Sequence, residues 1–191
     1  HVRSRRQRQM CIRDSYYAAK KRGYPIPVGA LDSVAMIKSG DLEILQKRLE
    51  SIELKFPENS FNKALQSKLG MLDQITERSK AVMTVGSGLG IAKAYRILVD
   101  SYTHVAKSVE DFTPVGKSPE YIQSFKGSMS QVVIPLKSKA VELKDEAISK
   151  SKDEDILSPD FNYLQTMDRI SFGVEYHPTR QGVVMDRGGI Q

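Results

Sequence analysis

The segment whose residues most suggest chemistry is a glycine-rich turn, Val85-Gly-Ser-Gly-Leu-Gly90. It follows an apolar stretch and precedes a helical pattern, as the phosphate-binding turn of a dinucleotide fold does. The G-x-G-x-x-G spacing would require glycine at position 91, which is Ile91. No second strand ending in an acid follows about 20 residues later. We therefore interpret the turn as a connection between antiparallel helices, with nucleotide or small-ligand binding at residues 86–90 as the alternative function.

Histidine, serine and acidic residues could also carry chemistry, but their spacing does not support it. His104 and His177 are isolated, with no cysteine or H-x-x-E partner that would make a metal site. The run Asp153-Glu-Asp155 lacks the alternation and central glycine of a calcium loop. Ser87 is the serine nearest to a nucleophile elbow, but it lacks the flanking residues of that motif. We predict no catalytic, cofactor-binding or metal-ligating residues, and hence a protein that is not an enzyme.

The basic charge of the chain is concentrated at its start. The sequence has 29 Lys and Arg against 23 Asp and Glu, a net +6, and residues 1–15 contribute five arginines and one aspartate. Residues 16–191 therefore carry only +2, an ordinary mixed surface that does not favour nucleic-acid binding. The string RQRQMCIRDS resembles a peptide found where sequencing-adapter DNA has been translated. The other interpretation of residues 1–15 is a basic arm for nucleic acid or anionic lipid.

Cysteine content and hydropathy give little information about the compartment. Cys11 is the only cysteine, so a disulfide within the chain and a thiolate metal site are excluded. No apolar run approaches the roughly 20 residues of a membrane-spanning helix. These features fit a bacterial periplasm or envelope and a cytoplasm equally well. We expect further helical repeats upstream of residue 16, and if residues 1–15 are not native, the sequence leaves open whether an export signal preceded them.

Apolar residues recur at helical spacing over most of the chain. After a proline turn at residues 24–27, the pattern predicts a short helix over 30–38, stopped by Ser39-Gly40, and a second one from Asp41. A third helix is predicted from about residue 60 to residue 83. A last short helix is predicted over 159–170, and residues 171–191 read as a loosely ordered tail.

The strongest pattern lies at residues 91–112. Its apolar positions recur at spacings of four and three, and a parallel row of small or branched residues adjoins them: Ile91, Tyr95, Leu98, Tyr102, Val105, Val109 and Phe112, with Ala92, Val99 and Ala106. A face this wide predicts a helix covered on two sides, as inside a stack of helical hairpins. We expect missing upstream repeats to supply part of that cover.

The following helix is predicted to begin at Ser118-Pro119, a capping serine with proline in the first turn. Its apolar stripe continues to about residue 150 and passes Pro135 without losing phase. The pattern therefore predicts one kinked helix, or two coaxial halves.

Part of this pattern resembles the tetratricopeptide repeat. Tyr95-x-x-Leu98-Val99-x-x-Tyr102 matches the first-helix signature of that repeat, except that Val99 replaces a glycine. Asp111 stands where the repeat has an alanine, and no 34-residue period recurs elsewhere.

A longer stretch, residues 86–148, resembles the C-terminal region of large tetratricopeptide-repeat proteins of myxobacteria and Bdellovibrio-like bacteria. Five features are shared, in chain order. They are a glycine-rich turn (Gly86–Gly90), an A-x-x-Y-R-x-L helix (Ala92–Leu98), a P-x-G-x-S-P loop (Pro114–Pro119), a mid-helix Pro-Leu (Pro135-Leu136) and a K-A-x-E segment (Lys139–Glu142). Ser87 and Leu89 replace an acid and an aromatic residue of that pattern. The resemblance implies a helical scaffold with no catalytic residues to transfer.

The sequence therefore predicts an all-α chain of antiparallel helical hairpins, a fragment of a tetratricopeptide-like α-solenoid. We expect residues 1–15 to be disordered, residues 16–170 to form the repeat-like domain and residues 171–191 to form the tail. The expected function is a non-catalytic scaffold that binds protein partners, without nucleic acid and without a transmembrane segment.

Overall fold

The computed structural model describes the backbone of residues 2–171 and the side chains of residues 7–167. This part of the chain is all-α and contains no strand. Its helices are α1 (Val2–Lys21), α2 (Val28–Ser51), α3 (Glu58–Met83), α4 (Gly88–Glu110), α5 (Pro119–Asp153) and α6 (Pro159–Ser171). The predicted all-α class is confirmed. Residues 172–191, most of the predicted tail, lie outside the described residues.

Helix α4 occupies the centre of the molecule. It packs against α2 and α3, which precede it, and against α5 and α6, which follow it. Helix α2 also packs on α1 and α3, and α5 packs on α6. Within the described chain, every closely packed pair of helices is therefore one or two positions apart in chain order.

The second apolar row of α4 is buried, and so is the first except for Tyr102, which is half-buried, and Phe112, which is half-buried and lies beyond the end of α4. Ala92, Val99 and Ala106 of the second row are 0%, 2% and 1% exposed. The cover comes from four helices of this chain, α2, α3, α5 and α6, all of which pack against α4. The expectation that α4 needs missing upstream repeats to bury it is therefore wrong.

Helix α2 is continuous, so the predicted break at Ser39-Gly40 is wrong. The Ser39 hydroxyl donates to the Ala35 carbonyl one turn earlier, at 2.8 Å, and the residue is fully buried. Gly40 lowers helix propensity by only about 1 kcal/mol relative to alanine. Burial of Leu42, Leu45 and Leu49 on the same helix outweighs that cost.

Helix α5 is likewise continuous through Pro135, as predicted. Its first turn is capped by the Ser118 hydroxyl, which accepts a hydrogen bond from the Tyr121 amide at 3.3 Å. Leu136, Ala140, Leu143 and Ala147 beyond the proline are buried, so packing holds the second half of α5 in line with the first.

The N-terminal segment differs from the prediction. The sequence predicts disorder over residues 1–15, but α1 is helical from Val2 onward. Arginine and glutamine are good helix formers, and the first helix breaker in the segment is Gly23, which lies in the left-handed region at φ +69°. Tyr16 is the buried residue by which α1 joins the core. The interpretation of residues 1–15 as translated adapter DNA stays a prediction.

Three aromatic side chains pack together where α3, α5 and the α4–α5 connection meet. The ring centroid of Phe61, on α3, lies 4.7 Å from that of Phe112 and 5.2 Å from that of Phe125 on α5. Phe61 is fully buried. These three rings link α3 to α5 and to the α4–α5 connection through side chains alone. The backbones of α3 and α5 are not in close contact.

Polar contacts attach α6 to α4. The Arg96 guanidinium donates to Asp160 at 2.8 Å and stacks 4.5 Å from the centre of the Tyr163 ring. The Tyr163 hydroxyl donates to Asp100 at 3.2 Å. No helix of the described chain has the length and hydropathy needed to cross a membrane.

Candidate functional site

The glycine-rich turn connects α3 to α4. Gly86 adopts φ +84°, a conformation that favours glycine. The Ser87 hydroxyl then caps α4 by accepting a hydrogen bond from the Gly90 amide at 3.1 Å. The turn therefore has the geometry of a helix–helix connection.

Close packing accounts for the other two glycines of the turn. A Cβ at Gly88 would lie 3.1 Å from the Ile156 side chain, and a Cβ at Gly90 would lie 2.5 Å from the Ala35 Cβ. Gly90 thus allows α4 to approach α2 closely.

The electrostatics of the turn do not favour a phosphate. The Ser87 hydroxyl donates to the Asp32 carboxylate at 2.6 Å, so this carboxylate lies beside the helix N-terminus. A phosphate there would meet a like charge. No feature of the described turn favours nucleotide binding.

His104 lies in a polar cluster between α2, α3 and α4. The Lys68 ammonium donates to His104 Nε2 at 3.2 Å and to the Leu49 carbonyl at 3.1 Å. Burial lowers the pKa of Lys68, and burial followed by the nearby Lys68 charge lowers the pKa of His104. Glu50 opposes both shifts. In this arrangement the neutral His104 imidazole accepts a hydrogen bond from a buried lysine. Its role is structural, because these contacts join α2, α3 and α4.

The lowered pKa of His104 gives a pH-dependent contribution to stability. Because the unfolded chain protonates His104 near pH 6.5 and the folded chain at a lower pH, the free energy of unfolding should fall as the pH drops below about 6.5. Replacement by glutamine keeps a hydrogen-bond acceptor but removes the titration. We expect the urea midpoint to fall less between pH 7 and pH 5 in His104→Gln than in the unsubstituted protein.

Measurements at pH 7 and pH 8 serve as the control, because both proteins should then change in parallel. An equal decrease between pH 7 and pH 5 in the two proteins would contradict the assignment of the effect to His104.

The acidic run at the end of α5 has ordinary surface contacts. Glu154 pairs with Lys150 at 2.9 Å, and Asp153 accepts from the Ser149 hydroxyl at 3.1 Å. Among the described residues, no group of three histidine, cysteine, aspartate or glutamate side chains could hold a metal ion. His177 lies outside the described residues.

A groove lies between α4 and α5, beside Met167 of α6. Its volume is about 270 Å³. We call it the α4–α5 groove; its lining residues are Val99, Thr103, Ala106, Lys107 and Glu110 of α4, Lys137, Ala140, Val141 and Lys144 of α5, and Met167 of α6. The floor is apolar, since Val99, Ala106 and Ala140 are almost fully buried.

Charged side chains form the rim of the α4–α5 groove. The Lys137 ammonium pairs with Glu110 at 2.7 Å and so joins the two walls. Lys107 and Lys144 also line the groove. The groove therefore has an apolar floor and a charged rim.

A row of exposed residues extends this surface along α5. Ile134, Lys137, Val141 and Lys144 follow one another at spacings of three, four and three, so they share one face of the helix. Ile134 is 65% exposed and Val141 is 53% exposed. The buried stripe of α5, which carries the prediction of that helix, does not reveal this row. The signal that could have found it is the pair of apolar residues at 134 and 141, seven apart.

Comparison with known proteins gives no match for the chain among family models, curated proteins or solved structures. The α4–α5 groove is therefore interpreted from its own geometry and charge.

Proposed function

We propose that the chain is a non-catalytic scaffold for protein–protein interaction, built as a fragment of a tetratricopeptide-like α-solenoid. The observation that carries this proposal is the packing order of the helices. Each closely packed pair is one or two positions apart in chain order, and α2, α4 and α6 form a continuous row of neighbours. Contact between successive units alone is the defining property of a solenoid.

The position of the repeat-like motif supports the same arrangement. Tyr95, Leu98 and Tyr102 lie on α4, the middle helix of the α2–α4–α6 row. The Tyr95 hydroxyl donates to Glu146 on α5 at 2.6 Å. The Tyr102 hydroxyl lies 3.4 Å from the Thr76 hydroxyl on α3. The motif thus contacts both the helix before α4 and the helix after it, which fits the first helix of an α4–α5 repeat.

An apolar surface near the N-terminal end is consistent with further stacking. A groove of about 380 Å³ lies between α1 and α2, where Ile12 and Ile26 are half-buried and Tyr16 and Val34 are buried. A partly open apolar groove at the end of a helical array is where a neighbouring unit would pack.

The scaffold proposal can be tested by selecting helical peptides from a displayed library against the full chain. We expect enrichment of peptides that bind the folded protein, because repeat proteins present extended surfaces for peptide recognition. Failure to enrich any binder would contradict the scaffold function. A rise in melting temperature with millimolar nucleotide would instead favour the alternative at residues 86–90.

A further inference from the structure

We propose that Lys68 and His104 form a proton-sensitive latch on the C-terminal end of α2, which opens when this pair binds a second proton. The latch consists of the contacts that the Lys68 ammonium, on α3, makes with His104 on α4 and with the Leu49 carbonyl on α2. The pH-dependent loss of stability described above does not specify where the structure changes. These contacts place the change at the end of α2, and the inference does not depend on the proposed scaffold function.

Lys68 holds the end of α2 from a buried position. The residue is 1% exposed, and its ammonium lies 3.1 Å from the Leu49 carbonyl oxygen and 3.2 Å from His104 Nε2. The Leu49 carbonyl belongs to the last turn of α2, where carbonyls have no partner within the helix, and it also accepts from the Ile52 amide at 3.3 Å. A positive charge at a helix C-terminus is stabilising. Lys68 therefore fixes the end of α2 against α3 and α4.

The connection that follows α2 depends on this fixed end. Residues 53–56 form no backbone hydrogen bond with any described residue. The Leu54 side chain is half-buried against the core, and the Phe56 ring centroid lies 6.5 Å from that of Tyr121 on α5. Release of the α2 end would therefore let the connection move and would uncover these apolar side chains.

A second proton on the pair is incompatible with the closed latch. His104 accepts the hydrogen bond through Nε2, whereas an imidazolium carries a hydrogen on both ring nitrogens and accepts none. Protonation would also place a second positive charge beside an ammonium nitrogen 3.2 Å away. Lys68 would then keep a single protein acceptor, the Leu49 carbonyl, in a buried position, which is unfavourable for a charged group. Opening the end of α2 gives the ammonium access to water.

The charged groups around the pair determine the pH at which the latch opens. Burial and the Lys68 charge lower the pKa of His104, and Glu50 on α2 opposes this shift. Asp100, one turn earlier on α4, accepts from a hydroxyl of α6. Other charged groups of α5 and α6 bond different residues of α4: Lys137 bonds Glu110, Glu146 bonds Tyr95 and Asp160 bonds Arg96. Because the freed imidazole has a pKa near 6.5, the open state is favoured as the pH falls below about 6.5.

Amide hydrogen exchange of the full chain, resolved by NMR and corrected for the intrinsic effect of pH on exchange, tests the latch. Since His104 binds its proton in the open state, the opening equilibrium should rise by up to about tenfold per pH unit below 6.5. We expect the protection of residues 49–52 to fall at least about threefold between pH 7 and pH 5. Residues 34–45, within α2, should lose less protection because the change is local.

Two matched substitutions of exposed glutamates separate the latch from a general effect of acid. Glu50→Gln removes a carboxylate that favours protonation of His104, so the pKa of His104 and the pH at which protection is lost should both fall. Glu53→Gln removes a carboxylate that pairs with Lys55 at 2.7 Å, and it should leave both values unchanged. His104→Gln keeps an acceptor for Lys68 but cannot be protonated, so the loss of protection at residues 49–52 should disappear.

Several results would overturn the proposal. The first is constant protection of residues 49–52 between pH 7 and pH 5. The second is an equal loss of protection in His104→Gln and in the unsubstituted protein, and the third is the same shift with Glu53→Gln as with Glu50→Gln. Equal loss throughout α2 would show that acid unfolds the whole helix and that its end has no separate latch.

Discussion

Replacement of Phe61 by alanine is expected to lower the free energy of unfolding by about 3–5 kcal/mol. Phe61 is fully buried, and its ring contacts Phe112 and Phe125. The substitution would leave a cavity between α3, α5 and the α4–α5 connection, and it would remove two aromatic contacts. Urea unfolding followed by far-ultraviolet circular dichroism would measure the loss.

Leu157→Ala is the matched control for this prediction. Leu157 is 95% exposed, so its truncation should change the free energy of unfolding by less than about 0.5 kcal/mol. Similar losses for the two variants would show that the three rings do not join these elements as described.

Gly90→Ala should destabilise the protein by about 1–3 kcal/mol, although alanine normally favours a helix. The added Cβ would lie 2.5 Å from the Ala35 Cβ, a distance at which α2 and α4 must move apart. The displaced surface lies in the core, where Ala35 and Ala92 are fully buried. Thermal and urea unfolding would both report the change.

Gly70→Ala separates this packing effect from helix propensity. Gly70 lies within α3, and a Cβ there would meet nothing within 4 Å. The same substitution should therefore stabilise the protein by about 0.5–1 kcal/mol. Shifts of the same sign at positions 70 and 90 would contradict the close approach of α2 and α4.

The helices with long, unbroken stripes were the most predictable part of the fold. The two apolar rows of α4 predicted burial on both sides, and the phase of α5 across Pro135 predicted its continuity. In both cases burial of the periodic apolar residues stabilises the helix by more than any single unfavourable residue destabilises it. The same reasoning failed at Ser39-Gly40, where a serine and a glycine read as a stop, but tertiary packing holds the helix together.

The source of cover for α4 could not be predicted from periodicity. A wide stripe requires neighbours on two sides, but it does not specify whether they belong to the same chain. That depends on the loop at residues 113–118 folding α5 back onto α4, and on α6 reaching both of them. Lys68 was missed for a related reason. It lies on the buried face of α3, between Leu65 and Leu72, and its burial depends on hydrogen bonds to the Leu49 carbonyl and His104 of neighbouring helices.

The α4–α5 groove could be predicted only in part. The sequence contains its signal, apolar residues at 134 and 141 with lysines at 137 and 144, on one face of α5. Whether that face is covered depends on how other parts of the chain pack against α5, and the pattern within α5 carries no information about it.

The packing order of the helices also bears on how the protein reaches its folded state. Since close helix pairs in the described chain are at most two positions apart, the chain never has to close a loop around several intervening helices. Such low contact order is associated with folding in microseconds to milliseconds. Each hairpin can form soon after its second helix leaves the ribosome, so the order of synthesis and the order of assembly should coincide.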